Sequence, residues 1–418
     1  MKPALQKLSL IGSLMIAVST AAIARADGLE KPLFSISGFG TVGAAHSSEK
    51  NADYTSSIFK PNGAGYTRDW SFDVDSRLGV QMDVNLTPQL SAVLQVIAEQ
   101  RYDNSYKPTV EWANAKYQFT PDFSARVGRI ALSGFMVSDY GKVGYAIPWV
   151  RPPGDLYGLS QLTSSDGIDI NYRHRFGALT NTLQSYYGKK DVRTTHNNGS
   201  IVEVRNLFGV TNTVDYGAAS VRFGYQQGRI SMAAISPVFD AFRLFGPRGV
   251  EIAERYDLKH KRYQVSAIGA SYDPGNWFAM GEYAIQKSDS WLGDRTGWYL
   301  SGGYRFNQFT PYLIYSQIKL NSPPSDPGVS TQGMPAASAQ VATQLNATLN
   351  ALLGTLATDQ KTIAIGGRWD FAKNAALKVQ YDHINMASGS QGTLINAQPG
   401  FVRGGNAHVL SVTLDFVF

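Results

Sequence analysis

Segments of about ten residues in which apolar and polar side chains alternate recur along almost the whole chain, and this rhythm governs what the chain can fold into. The clearest begins at Arg77: Leu78, Val80, Met82, Val84 and Leu86 fall on one face, and Arg77, Gly79, Gln81, Asp83 and Asn85 on the other. A period of two is the mark of a β-strand with unlike faces. Thr87-Pro88-Gln89 turns the chain, and Leu90 to Arg101 returns with Gln95, Glu99 and Arg101 on one side. The same pattern predicts hairpins at Val110–Phe119 with Phe123–Ile130, and at Gly167–Phe176 with Leu179–Lys189. It predicts others at Tyr216–Tyr225 with Arg229–Ser236, and at Lys261–Tyr272 with Trp277–Lys287. Gly297–Phe306 with Pro311–Leu320 and Gln360–Phe371 with Ala376–Met386 complete the set. With Leu33–His46 and Ala407–Phe418 at the ends, about sixteen strands are expected.

Two architectures accommodate such strands, a soluble sandwich and a membrane barrel. Strands of ten to twelve residues are long for a sandwich, where roughly five or six is usual, and match the roughly 9–11 that a tilted strand needs to cross a bilayer. Connections alternate between short turns and longer polar loops, as in outer-membrane barrels. Phe119, Phe123, Phe176, Trp277, Phe306, Phe309, Trp369 and Phe371 stand near strand ends, where interfacial aromatic girdles belong. The expectation is an all-β transmembrane antiparallel barrel whose apolar face meets lipid and whose polar face lines a lumen.

The N-terminus agrees with export. Lys2 and Lys7 precede an apolar stretch from Leu8 to Ile23, and Ala24-Arg25-Ala26 fits the small-x-small cleavage rule. Residues 1–26 are read as a signal peptide, a retained helical anchor being the alternative, and 27–418 as the barrel. Removing 1–26 takes away three cations and no acid, so the formal charge drops from +6 to +3. Such a small excess gives no footprint for nucleic acid. The chain has no cysteine, which excludes disulfides, zinc–thiolate sites and thiol nucleophiles. His46, His174, His196, His260, His383 and His408 are dispersed without ligand spacing, so neither a metal nor another cofactor is expected. No Gly-x-Ser-x-Gly elbow marks a hydrolase, so no catalytic residue is assigned. Gly38-Phe39-Gly40-Thr41-Val42-Gly43 has dinucleotide-fingerprint spacing, but no helical pattern follows it.

Ser76-Arg77-Leu78-Gly79-Val80 with the hairpin to Glu99, Val127-Gly128-Arg129, and the terminal Asp415-Phe416-Val417-Phe418 resemble the Gram-negative general porins, from about Leu33 to the end of the chain. That resemblance implies a homotrimer of sixteen-stranded barrels in outer-membrane lipid and lipopolysaccharide, passing ions and small hydrophilic solutes. It implies that Arg77 and Arg129 form a positive wall at the constriction, and that an inward loop, here 131–166, faces them with Asp139 and Asp155. This loop also carries Lys142, Arg151 and the stiffening Pro148, Pro152 and Pro153, and so departs from the family's compact acidic motif. Ser164-Ser165-Asp166 stands where many relatives have another arginine, so Arg151 and Lys116 are candidates to supplement the wall. Gln81, Gln95, Glu99, Arg101, Lys116 and Arg126 are expected to line the lumen. Phe416 and Phe418, alternating with Leu410, Val412 and Leu414, form the terminal signal for the outer-membrane insertion machinery. A substrate-selective channel, or a structural or adhesive barrel with an occluded lumen, are the competing functions.

The loop 321–358 is the most individual feature. Val341, Leu345, Leu349, Leu352, Leu353 and Leu356 recur at helical spacing and predict an amphipathic helix within 335–357. It either packs on the loop layer or shapes solute access.

Overall fold

The computed structural model describes residues 32–195 and 199–418, so the expected signal peptide lies outside the described residues. Sixteen long strands form one antiparallel sheet among them. In chain order they are β1 (Phe34–Ser47), β2 (Arg77–Asn85), β3 (Leu90–Glu99), β4 (Thr109–Thr120), β5 (Phe123–Ala131), β6 (Ser164–Phe176), β7 (Leu179–Arg193) and β8 (Ile201–Tyr216). The second half comprises β9 (Ala219–Ser231), β10 (Lys261–Tyr272), β11 (Trp277–Ser288), β12 (Arg295–Tyr304), β13 (Phe309–Leu320), β14 (Gln360–Ala372), β15 (Ala375–Met386) and β16 (Asn406–Val417). Each strand pairs with its sequence neighbours. β1 closes the circle: Phe34–Thr41 pairs with β2, and Phe39–Ser47 with β16. Closure removes the exposed edges that make open sheets prone to pair with other chains.

The alternation places apolar side chains outside. Ile168, Ile170 and Tyr172 of β6 are exposed, whereas Asp169 between them is buried in the lumen. Seen along the wall, Tyr117, Phe119, Phe176, Tyr216, Tyr304, Phe306, Trp369 and Phe371 are all exposed near the short-turn end, the arrangement of an interfacial belt. At the barrel's seam the rings of Phe418 and Phe416 lie over Gly38 and Gly40, where any Cβ would collide with them. These two glycines make room for the terminal aromatics.

One hairpin differs from the sequence expectation. The turn is not at Gln226-Gln227-Gly228 but at Gly217-Ala218, and Ile201–Tyr216 is a full strand. Its alternation is broken by a register shift between Arg205 and Phe208, with Asn206 at φ 50°, which hides the strand from a simple period-two reading. The residues after β9 are helical instead.

Among the described residues, four α-helices lie in the long connections: α1 (Gly154–Tyr157), α2 (Ser236–Arg243), α3 (Gly246–Tyr256) and α4 (Ala336–Gly354). α4 falls within the segment of leucine periodicity. It packs on α2 and α3, with Leu349, Leu353 and Ala342 buried against Phe239, Phe242 and Ile252. Asp326 ties the two loops, accepting from Tyr256 Oη at 3.0 Å and Arg248 Nη2 at 2.6 Å. This is a small second core on the loop side of the barrel. None of the described helices is long and apolar enough to cross a membrane; the strands do that.

Candidate channel constriction

The connection between β5 and β6, residues 132–163, folds into the barrel. Its apolar residues explain the direction: Phe135, Met136, Val137, Ile147, Trp149, Leu156 and Leu159 are buried, and the inner wall opposite offers Tyr299, Tyr312, Ile314 and Ile318. Burying a large apolar side chain is worth about 1.5–3 kcal/mol, so the loop sinks against the wall rather than standing in water. Polar wall groups then satisfy its backbone. Lys378 Nζ donates to the carbonyls of Gly144, Ile147 and Trp149 at 2.6, 2.8 and 2.8 Å while pairing with Asp415 at 3.0 Å. Arg368 donates to the Tyr145 carbonyl at 2.6 Å, and Trp149 Nε1 to Ser301 Oγ at 2.7 Å. Gly144 is required at this contact, because a Cβ there would run into Asp415 and Thr41.

The polarity of the docked loop is largely the reverse of the expected one. Two loop cations sit on wall and loop-one carboxylates. Lys142 Nζ lies 2.7 Å from Glu99 and 3.1 Å from Glu111. Burial alone would lower the pKa of this ammonium, but the two carboxylates more than offset that and hold it above its ordinary value. Arg151 forks onto Asp75 at 2.9 and 2.6 Å, reaches Asp382 at 3.3 Å, and donates to Ser411 Oγ at 2.6 Å and Tyr54 Oη at 3.1 Å. Burial opposes ionisation of Asp75, yet Arg151 keeps its carboxyl below the usual carboxylate range.

Asp139 pairs with Arg222 on β9 at 3.3 Å, not with Arg77 or Arg129. Asp155 meets no cation among the described residues: Ser316 Oγ and Gln360 Nε2 donate to it, each at 2.6 Å. Burial raises its carboxyl above the ordinary value, opposed by those donors.

Arg77 stands on the lumen face of β2, opposite Thr41 and Glu99 in register. Arg129 does not join it. On β5, Arg126 and Ile130 point inward, Val127 is exposed to the outside, and Arg129 shares the face of Val127. Although Arg129 borders the lumen cavity, its guanidinium pairs with the outward-facing Asp166 at 2.7 and 2.9 Å. The two arginines thus border one cavity but do not form the expected paired wall, because Asp166 draws the Arg129 guanidinium to the outer face, and the short Val-Gly-Arg match carries no information about that partner. Gln95 Nε2 donates to Gln81 Oε1 at 2.8 Å across the lumen face. Lys116 and Arg126 are cross-strand neighbours, and Arg126 is held by Asp169. Arg101 lies 5.6 Å from the Tyr102 ring centroid, with Arg193 at 5.8 Å.

Lys60, Asp75, Glu111, Lys378 and Asp382 were not singled out by the sequence. Asp75 precedes Arg77 by two, and Lys378, Gln380 and Asp382 alternate, so those were legible as lumen positions. Glu111 was not, because a register shift at Gln95/Val96 in the β3–β4 ladder turns it inward.

On the loop side of the constriction lies a cavity of about 610 Å³. It is bordered by nine lysines and arginines, among them Lys60, Arg77, Arg101, Lys190, Arg193 and Arg295, and by the carboxylates of Glu99, Glu111, Asp155, Asp191 and Asp382.

A closed sixteen-stranded barrel with lipid-facing apolar strands and an inserted loop defines an outer-membrane channel. The family profile described as Gram-negative porin matches residues 13–388, and the chain belongs to that family. Solved structures agree on the fold. The outer membrane channel DcaP of Acinetobacter baumannii is similar at a TM-score of 0.55 and 11% identity, covering 95% of this chain and all of that one. OmpF of Salmonella typhi, in complex with daunomycin, gives 0.53 and 15%, covering 92% and 97%. OmpT of Vibrio cholerae, an outer-membrane protein, gives 0.52 and 12%, covering 93% and 99%. No curated protein sequence matches. The chain is an outer-membrane porin.

Proposed function

We propose that this porin is a water-filled, non-enzymatic pore for passive diffusion of ions and small hydrophilic solutes, and that it favours anions. The charge balance of the cavity carries the reading. Glu99 and Glu111 face Lys142, Asp382 faces Arg151, Asp191 faces Arg205, and Asp155 is buried under neutral donors. Lys60, Arg77, Arg101, Lys190, Arg193 and Arg295 border the same space without an ion pair among the described residues. The field a permeating ion meets is thus dominated by cations, and in a narrow, low-dielectric passage such a field sets ion preference. Arginine suits this position because it remains charged when crowded.

Family membership supports a homotrimer embedded among outer-membrane lipid and lipopolysaccharide. Reconstitution of the purified protein into planar bilayers tests the pore itself: stepwise conductance in KCl is expected, and a silent, correctly inserted protein would favour an occluded structural barrel.

A further inference from the structure

We propose that the lumen cavity contains a docking point for the carboxylate of a permeating solute, formed by Arg295 with Thr358 level with it across β13. The proposal rests on the channel reading and deepens it: solutes bearing a carboxylate would be held transiently, not merely admitted.

Arg295 opens β12 and points inward, on the face it shares with Gly297, Tyr299 and Ser301, all of which meet the inserted loop or its anchors. Its Nε and Nη2 are shielded from solvent and have no hydrogen-bond partner among the described residues; the same is true of Thr358 Oγ1. Both residues border the lumen cavity described above. Register places them level, one strand apart: Arg295 pairs with Leu320 on β13 and Ile318 pairs with Gln360 on β14, so Thr358, two residues before Gln360, stands level with Arg295 across β13. Asp359, the acidic group that acts on the arginine's charge, accepts from the Leu320 backbone N–H at 3.3 Å and forms no ion pair with the arginine.

The chemistry of the open groups specifies the ligand. Nε and Nη2 form one edge of the guanidinium and present two parallel donors, a fork that matches the two oxygens of a carboxylate. A hydroxyl at the same level supplies a further donor. Phe135, Val137, Ile314 and Ile318 border the cavity and offer apolar contact to the body of such a solute. Unmade buried donors are costly. Because both arginine donors are shielded where they stand, docking requires the guanidinium to swing toward the cavity. That movement exchanges two unmade hydrogen bonds for two charge-assisted ones.

The test uses the full mature protein in planar bilayers, with KCl carrying the current and benzoate or its neutral isostere benzamide added as probe. Benzoate should interrupt the current and benzamide should not. Arg295→Gln should shorten the benzoate dwell time about tenfold or more, as expected for loss of a charge-assisted fork. Arg295→Lys should fall between, keeping charge without the fork, and guards against a folding defect in the first variant. Equal interruption by benzoate and benzamide would overturn the proposal, as would an Arg295→Gln dwell time equal to wild type. Absence of KCl conductance in the wild type would instead sink the channel reading itself.

Discussion

Arg151 of the inserted loop forks onto Asp75 at 2.9 and 2.6 Å, with both side chains almost wholly buried. The pair joins the loop that narrows the barrel to the long connection between β1 and β2, and Asp382 on β15 completes the clasp. The constriction is therefore held by charges paired with each other, which leaves other cations to act on solutes.

Breaking this clasp from one side should be costly. Arg151→Gln leaves the buried carboxylates of Asp75 and Asp382 without their cation, and we expect a loss of about 3–5 kcal/mol in barrel stability, read from the urea midpoint of the folded, detergent-solubilised protein; Asp75→Asn, which leaves Arg151 paired with Asp382, should cost less. Replacing Arg151, Asp75 and Asp382 together with apolar residues of similar volume should cost much less than Arg151→Gln alone. The Asp75 carboxyl is held below its ordinary value, so the clasp contributes fully above pH 3.8 and is lost as pH falls through the depressed value. Single-channel noise should accordingly rise only in strong acid.

Arg77 and Arg129 should behave differently despite their similar motifs. Arg77→Gln removes a lumen cation, so the chloride-to-potassium permeability ratio should fall by roughly twofold or more. Arg129→Gln removes a guanidinium that borders the cavity but is paired with the outer-face Asp166, so the ratio should fall by less than for Arg77→Gln. Zero-current potentials of the two variants decide it; an equal fall in both would place Arg129 in the lumen after all.

Lys142→Gln should shift selectivity further than Arg77→Gln, because it uncovers Glu99 and Glu111 together. The variant should conduct potassium more readily than wild type in the same salt gradient.

Lys60 supplies a pH signature. Its ammonium donates to the Asp73 and Val74 carbonyls at 2.9 and 2.8 Å, and burial pulls its pKa down to about 8. As pH rises through about 8 the folded protein loses this charge before the unfolded chain does. Two consequences have opposite signs: anion preference should weaken through that range, while folded stability should rise with pH up to the ordinary lysine value. Permeability ratios measured across the range in wild type and Lys60→Gln check this, with the variant expected to be flat.

Much of the barrel is legible in the sequence because each strand has one wet and one greasy face, and a period of two records that directly. Arg77–Asn85 and Ala375–Met386 alternate without interruption and read correctly. Ile201–Tyr216 does not, since the irregularity between Arg205 and Phe208 shifts its faces halfway along. The constriction was less legible for the same reason and one more. A residue's face depends on register, which set Arg129 against the outward-facing Asp166 and turned Glu111 inward. Which charges meet also depends on how a loop folds back across the lumen, and nothing local to Lys142 or Arg151 announces that their partners are Glu99 and Asp75.

The most direct measurement is the zero-current potential of the purified wild-type protein across a planar bilayer with a KCl gradient. The cation-dominated lumen predicts stable conductance and a potential displaced toward the chloride equilibrium value. A potential displaced toward the potassium value would contradict it.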